Sequence, residues 1–175
     1  MHKDYLAAMR RHLPKIVTLL ATLSVSGWLH AGGNESSLTA VDNRLWREEC
    51  GSCHLAYHPA FLPERSWRKM MSNLEHHFGE NAGLDAAATK EIADFLAANA
   101  ADRGGARRGR KVDASIPSGQ TPLRISETPW FVGKHDEVAA DVWKRKSIGS
   151  AANCAACHPR ADRNSYSEQE IAIPR

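Results

Sequence analysis

The sequence has few features that would build a sheet or cross-link the chain. Its 175 residues contain only four cysteines, and all four lie in two short motifs, so none remains for a structural disulfide. No Val- and Ile-rich run is present that would predict a β-strand with confidence. The predicted fold class is therefore all-α.

The chain also lacks an apolar segment that could span a bilayer comfortably, since residues 16–29 are mostly apolar but too few. Four basic residues precede this segment: Lys3, Arg10, Arg11 and Lys15. The pattern predicts a secretory signal peptide over residues 1–31, with cleavage after Ala31. A retained membrane anchor is the alternative, although the Gly-Gly-Asn that follows Ala31 favours removal.

Without the predicted signal peptide, the chain has no excess of positive or negative charge. The whole chain has 23 Lys and Arg against 20 Asp and Glu, a formal charge of +3. Residues 1–31 hold four of the basic residues and one acidic residue, so the 144 residues that remain carry 19 of each kind. The net charge therefore gives no argument for nucleic-acid binding.

The cysteines form two copies of one pattern, Cys-x-x-Cys-His. The residues are Cys50, Cys53, His54, Cys154, Cys157 and His158. This pattern is the attachment signature of a c-type haem. Two thiols one helical turn apart can form thioethers with the two haem vinyl groups, and the histidine can bind the iron. Two copies predict two covalently bound haem c groups.

A redox pair and a zinc site are the two alternatives for these cysteines. A thioredoxin-like redox pair is expected in a βαβ context, which the sequence does not suggest. A single zinc ion could take four cysteines, but that does not explain why a histidine follows each pair. Because bacterial haem attachment takes place outside the cytoplasm, the haem interpretation agrees with the signal and predicts the periplasm.

Composition divides the exported chain into three parts. Residues 32–100 form the predicted N-terminal haem domain, and residues 123–175 form the C-terminal one. Residues 101–122 mix arginine with glycine, then serine and proline, which is typical of a solvated linker. A docking patch for an acidic partner is the alternative for this stretch. Each half is so small that it needs a haem to complete its interior.

Caps and apolar spacing predict helices in the first half. Ser36 or Ser37 starts a helix that reaches the first motif, and Ser66 starts another that ends at Gly79. Asp85 caps a third helix, which ends near residue 99.

The second half begins with a helix of its own, since Thr128 is a cap followed by a proline. Four residues share one face of this helix, although Gly133 weakens it: Phe131, His135, Val138 and Val142. The tail, residues 166–174, is predicted to fold back as a lid.

The second axial ligand of each iron decides its chemistry, since an empty position would permit reaction with small molecules. For the first haem, His77 lies beside the apolar face of its predicted helix, whereas His76 points almost opposite. Other candidates are Met70, Met71 and His58. For the second haem, His135 is the one histidine of its half besides that of the motif.

Spacing supports this choice of ligands. His77 lies 23 residues after His54, and His135 lies 23 residues before His158. Each half is therefore predicted to supply the distal ligand of its own haem. The alternative is an exchange of the two distal histidines between the halves.

At these residues the chain resembles the small bacterial dihaem cytochromes c first described from purple photosynthetic bacteria. The resemblance spans nearly the whole exported chain. The matching residues, in order, are Glu49-Cys50-Gly51-Ser52-Cys53-His54, Tyr57, Pro59, Leu62-Pro63, Ser66-Trp67, His77-Phe78-Gly79, Arg124-Ile125-Ser126, Thr128-Pro129-Trp130-Phe131, Lys134-His135, Asn153-Cys154-Ala155-Ala156-Cys157-His158 and Tyr166-Ser167-Glu168.

The resemblance implies two small haem domains, of which the N-terminal one is similar to class I cytochromes c. It implies bis-histidine haems, with His77 and His135 as the distal ligands. It also implies periplasmic electron transfer with a monohaem oxygen-binding cytochrome and a membrane cytochrome b as partners. The chain departs from the family mainly in its Arg- and Gly-rich linker.

The expected function is that of an electron carrier and not of an enzyme. The alternative is a dihaem peroxidase-like enzyme, which would need one open haem site and acid/base groups beside it. No clear catalytic constellation is present, and Glu80 or His76 would be weak candidates.

Overall fold

The computed structural model describes residues 38–103 and 107–175, which belong to one compact unit, Gly32–Arg175. The predicted signal peptide and the predicted caps Ser36 and Ser37 lie outside these residues. Within the described ranges, no helix is long and apolar enough to cross a membrane.

The described chain is helical. Its α-helices are α1 (Arg44–Gly51), α2 (Glu64–Met71), α3 (Ala86–Ala98), α4 (Arg107–Ser115), α5 (Pro129–Lys134) and α6 (Cys154–Cys157). Short 3₁₀ turns connect them at Pro59–Phe61, Leu74–His76, Ile125–Glu127, Val142–Lys144, Ala161–Arg163 and Glu168–Glu170. The described residues form no strand, and an isolated bridge joins His77 to Glu80. The all-α prediction is confirmed.

Helix α1 begins later than the sequence suggested. Residues 38–43 are not helical, and the cap is Asn43, whose side chain accepts a hydrogen bond from the Trp46 amide at 2.8 Å. Asparagine is as good a cap as serine, and Leu45 and Trp46 follow it within the first turn. The predicted helix therefore does not extend through residues 38–43.

Helix α2 ends well before Gly79, where the sequence placed its end. It runs from Glu64 to Met71, and Ser72 and Asn73 follow it. The Ser72 hydroxyl donates to a backbone carbonyl one turn earlier. Such local side-chain bonds compete with helix propagation.

Helix α3 agrees with its prediction. The Asp85 carboxylate accepts hydrogen bonds from the amides of Ala87 and Ala88, both at 2.9 Å, and the helix ends one residue before Asn99. Ile92 and Leu96 are buried on its inner face. The cap and the apolar spacing were sufficient here because both signals are local.

Helix α5 is shorter than the predicted helix through Val142. It ends at Lys134, and His135 is its C-cap. Thr128 caps it as predicted, since the Thr128 hydroxyl accepts a hydrogen bond from the Phe131 amide at 3.2 Å. Gly133, the weak point noted in the sequence, lies in its last turn.

Buried apolar side chains form two clusters. The first lies within the N-terminal half and consists of Trp46, Leu62, Trp67, Met71, Ile92, Leu96 and Ala100. The second, here called the shared cluster, draws on both halves and on α4: Leu38, Ala60, Phe61, Ala101, Val112, Ile116, Ala161 and Tyr166. The halves are therefore joined by a buried apolar contact, which is favourable in water. The domain boundaries proposed from composition stay predictions.

Part of the stretch predicted as a solvated linker is packed, which corrects the composition argument. Helix α4 occupies it, with Val112 fully buried. A Cβ added at Gly109 would lie 3.2 Å from the Ala101 carbonyl oxygen and 3.3 Å from Ala60 Cβ. Gly109, Val112 and Ile116 recur at helical spacing, a pattern that the many surrounding charges obscured.

The tail folds back, as predicted. The Ala172 amide donates to the Cys157 carbonyl at 3.0 Å, and the Arg145 guanidinium donates to the Pro174 carbonyl at 2.9 Å. The last residues therefore pack against the second Cys-x-x-Cys-His motif.

Candidate haem centres

The first motif lies where α1 ends. Cys50 is in the last turn of that helix and is half-buried, and Cys53 follows in an exposed turn. Neither forms a disulfide.

His54 is oriented by its own backbone. Its Nδ1 lies 2.8 Å from the Leu55 carbonyl oxygen, so Nδ1 carries the proton and donates it there. The other ring nitrogen, Nε2, is then the one with a lone pair for a metal. This arrangement fixes both the tautomer and the ring plane.

His77 faces His54 from the other side. The two ring centroids are 6.1 Å apart and the ring planes differ by 23°. A tight turn holds His77, in which the His77 amide donates to the Glu80 carbonyl at 2.8 Å. The turn needs positive φ at Phe78 (54°) and at Gly79 (105°), and for a residue other than glycine such a value is a strained conformation found at functional sites.

His76 points into solvent, and its Nδ1 lies 3.0 Å from Asn73 Oδ1. The sequence therefore correctly predicted that His77 and His76 point in different directions. The reason given was wrong, because neither residue lies on α2 and the turn, not a helix face, sets their directions.

The second motif coincides with the single helical turn α6. Cys154 and Cys157 are its first and last residues, and both are half-buried free thiols. His158 follows as the C-cap. Its Nδ1 is buried and has no hydrogen-bond partner among the described residues.

His135 faces His158, with ring centroids 6.2 Å apart and ring planes 83° apart. The phenyl ring of Phe131 stacks on His135 at 3.9 Å and 19°. The Phe131 carbonyl also accepts a hydrogen bond from His135 Nδ1 at 2.9 Å, which again leaves Nε2 for a metal. Phe131 thus sets the ring plane of His135 in two ways.

Both histidine pairs fit a shared haem iron. A metal-bound imidazole nitrogen lies about 2 Å from the metal, so two rings that share one metal have centres roughly 6 Å apart. The pairs are His54 with His77 and His135 with His158, so each half supplies both members of its own pair. In these pairs the four imidazoles would hold two irons, and the four thiols would hold the two porphyrins.

The remaining candidates for the distal position are occupied elsewhere. His58 is buried, and its Nδ1 accepts from the Ala60 amide at 3.1 Å while its Nε2 donates to the Thr39 carbonyl at 2.9 Å. Met71 is buried in the first cluster, and Met70 packs against it.

The cysteines do not form a zinc site. Within the described residues, no group of three or more His, Cys, Asp or Glu side chains could hold a metal ion. Burial raises the pKa of Cys50 and of Cys154 to about 11 each.

Burial also acts on the histidines. It lowers the pKa of His77, an effect to which nearby His54 and Arg124 add. It lowers the pKa of His158 in the same way, with contributions from His135 and Arg108. Both imidazoles are therefore held in the neutral form, which is the form that binds a metal.

The structure adds two residues whose roles could not be predicted from the sequence. The Tyr57 ring stacks on His54, and its hydroxyl donates to the Ala152 carbonyl at 2.6 Å. The Arg124 guanidinium lies 3.9 Å from the centre of the Phe78 ring, beside the His77 turn. Both belong to the matching residues of the resemblance, which was the available signal, but only the fold brings them to the site.

Comparisons with known proteins agree with this geometry. The family model described as Dihaem cytochrome c matches residues 46–166. The solved structure of a diheme cytochrome c from Rhodobacter sphaeroides is 45% identical, covers 74% of this chain and 100% of its own, and has a TM-score of 0.66. A diheme cytochrome type c from Shewanella baltica is 33% identical, with coverage of 77% and 95% and a TM-score of 0.63. No curated protein matched.

Proposed function

Since the chain belongs to the dihaem cytochrome c family, we propose that it is an electron carrier and not an enzyme. It carries two covalently bound haem c groups, as its family implies. A haem iron supplies one-electron exchange between its ferric and ferrous states. The residues of this chain decide whether the iron can also react with a small molecule.

The facing histidine pairs carry the proposal. We assign His54 and His77 as the axial ligands of the first iron, and His158 and His135 as those of the second. The assignment is supported by ring centroids 6.1 Å and 6.2 Å apart. With two imidazoles holding each iron, neither iron would have an open site for a substrate.

The protein acts in the periplasm in this proposal, with residues 1–31 as its export signal. Its partners are a membrane cytochrome b and a monohaem oxygen-binding cytochrome. The motive is the export pattern of the sequence together with the need of a c-type haem for attachment outside the cytoplasm.

Spectroscopy of the purified holoprotein tests the ligand sets. The oxidised protein is expected to show two low-spin haems without a high-spin band. The reduced protein is expected to bind carbon monoxide slowly or not at all, because carbon monoxide would first have to displace a histidine from the iron. A clear high-spin band or rapid carbon monoxide binding would show that one iron is open.

Peroxide turnover separates the carrier from the dihaem peroxidase-like alternative. A carrier with both irons closed is expected to consume hydrogen peroxide no faster than other bis-histidine cytochromes. Sustained turnover with an electron donor would decide for the enzyme.

A further inference from the structure

We propose that Tyr57 is a positioning residue that fixes the proximal histidine of the first haem relative to the backbone of the second haem motif. This inference rests on the proposed role of His54 as a ligand. Tyr57 is three residues from His54 in sequence, yet its hydroxyl bonds to a residue 95 positions away.

The ring of Tyr57 holds one face of His54. Their centroids are 4.8 Å apart and their planes differ by 24°. His77 lies 23° from the plane of the same imidazole. The plane of His54 is thus set by two constraints, the stacked phenol and the hydrogen bond from Nδ1 to the Leu55 carbonyl.

The hydroxyl of Tyr57 reaches the other half of the molecule. It donates to the Ala152 carbonyl at 2.6 Å, and the same carbonyl accepts a hydrogen bond from the Cys154 amide at 2.9 Å. Cys154 is the first attachment cysteine of the second motif. One carbonyl therefore connects the side chain stacked on His54 with the backbone that starts α6.

The hydroxyl is a donor at physiological pH, since the ordinary pKa of a tyrosine is about 10. A residue that only filled space at this position would not need it, because phenylalanine has the same ring. The two parts of Tyr57 therefore have separate tasks. The ring sets the plane of His54, and the hydroxyl holds the segment before α6 against the first half.

Two substitutions in the holoprotein separate these tasks. Tyr57→Phe keeps the ring and removes the hydroxyl, whereas Tyr57→Leu removes both. The readouts are the electron paramagnetic resonance spectrum of the oxidised protein, which reports the ligand planes, and amide hydrogen exchange of residues 150–154. Tyr166→Phe is the matched control, because the buried Tyr166 hydroxyl has no hydrogen-bond partner among the described residues.

For Tyr57→Phe we expect an unchanged first-haem signal and several-fold faster exchange in residues 150–154. Tyr57→Leu is expected to show the same faster exchange and a shifted first-haem signal. Tyr166→Phe is expected to leave the exchange of residues 150–154 at the wild-type rate.

Unchanged exchange in Tyr57→Phe would overturn the proposal, and so would an unchanged first-haem signal in Tyr57→Leu. If Tyr57→Leu does not fold, the near-isosteric Tyr57→Phe decides through the exchange measurement. A wild-type first haem that is not low-spin would instead refute the ligand assignment before any variant is compared.

Discussion

The two haem regions share one five-residue motif and differ in almost everything around it. In the first region the histidine rings are nearly parallel, and His54 donates Nδ1–H to a backbone carbonyl. In the second region the rings are nearly perpendicular, and the buried Nδ1 of His158 has no partner among the described residues. Attachment chemistry is thus local and repeated, whereas ligand geometry depends on what each half packs against the ring.

The distal histidines show the same contrast. His77 is held by a backbone turn with positive φ at Phe78 and Gly79. His135 is held by one residue, Phe131, whose ring stacks on it and whose backbone carbonyl accepts its Nδ1 hydrogen bond. The ring of His77 is fixed by backbone conformation and that of His135 by a helix terminus, so the two are expected to respond to different substitutions.

Replacing one of the assigned distal ligands is expected to give the largest effect. It should change one haem and leave the other as it is. His135→Ala should leave both haems attached, because attachment requires only the two motifs. The second haem should become high-spin and bind carbon monoxide, and its potential should rise, since imidazole stabilises ferric iron better than water does. Absorption spectra and a redox titration would measure both changes.

His77→Ala should produce the converse result, with only the first haem converted. His76→Ala is the control for both, because His76 is exposed and lies outside the pairs. Two unchanged low-spin haems in His135→Ala would refute its assignment as a ligand. Conversion of the first haem by His76→Ala would refute the choice of His77.

The low-temperature spectrum of the wild-type protein should show the difference between the two histidine pairs. Parallel imidazole planes separate the energies of the two iron dπ orbitals, whereas perpendicular planes leave them nearly equal. With ring planes 23° and 83° apart, the oxidised protein is expected to show one rhombic and one strongly anisotropic low-spin signal at low temperature. A single signal from both haems would contradict the difference in ring planes.

Gly109→Val should weaken the cluster that joins the two regions. The new side chain would meet the Ala101 backbone and Ala60, and overpacking of this kind costs about 1–3 kcal/mol. The free energy of unfolding is therefore expected to fall by that amount in denaturant titration. Gly119→Val is the matched control, since a Cβ there meets no atom within 4 Å. Equal loss in both variants would mean that the close approach at Gly109 is unimportant.

The smallest effect concerns the protonation of His58, which lies in the first region. Burial lowers the pKa of His58, nearby Arg108 adds to this, and the hydrogen bond to the Thr39 carbonyl opposes it. The unfolded chain takes up this proton near pH 6.5, as free histidine does, and the folded chain does so only at lower pH. The stabilisation is complete above the unfolded pKa and is lost as the pH falls toward the folded one.

The free energy of unfolding should therefore decrease below about pH 6.5, by at most about 1.4 kcal/mol per pH unit from this one group. Urea titrations at about pH 7 and about pH 5 would measure the change. His58→Gln should show a smaller decrease over the same interval. An equal decrease would assign the pH dependence to other groups.

Local signals predicted local features well. Asp85 and Asn99 bound α3, and Thr128 caps α5, because a cap and the helix it starts are neighbours in sequence. The helix boundaries that failed were those where competing bonds decide, as at Ser72 and Asn73 after α2. The packed face of α4 was missed because charge dominates its composition, although Val112 is fully buried.

By itself, the sequence determined the chemistry of this protein. Four cysteines and two histidines in two fixed patterns specify two covalent haems, because thioether formation and proximal ligation need only residues within one helical turn. Only the tertiary structure decided how His77 and His135 meet their partners, how α4 joins the halves and how Tyr57 reaches Ala152. Those arrangements depend on contacts between residues far apart in the chain, and no local spacing encodes the angle between two imidazole rings.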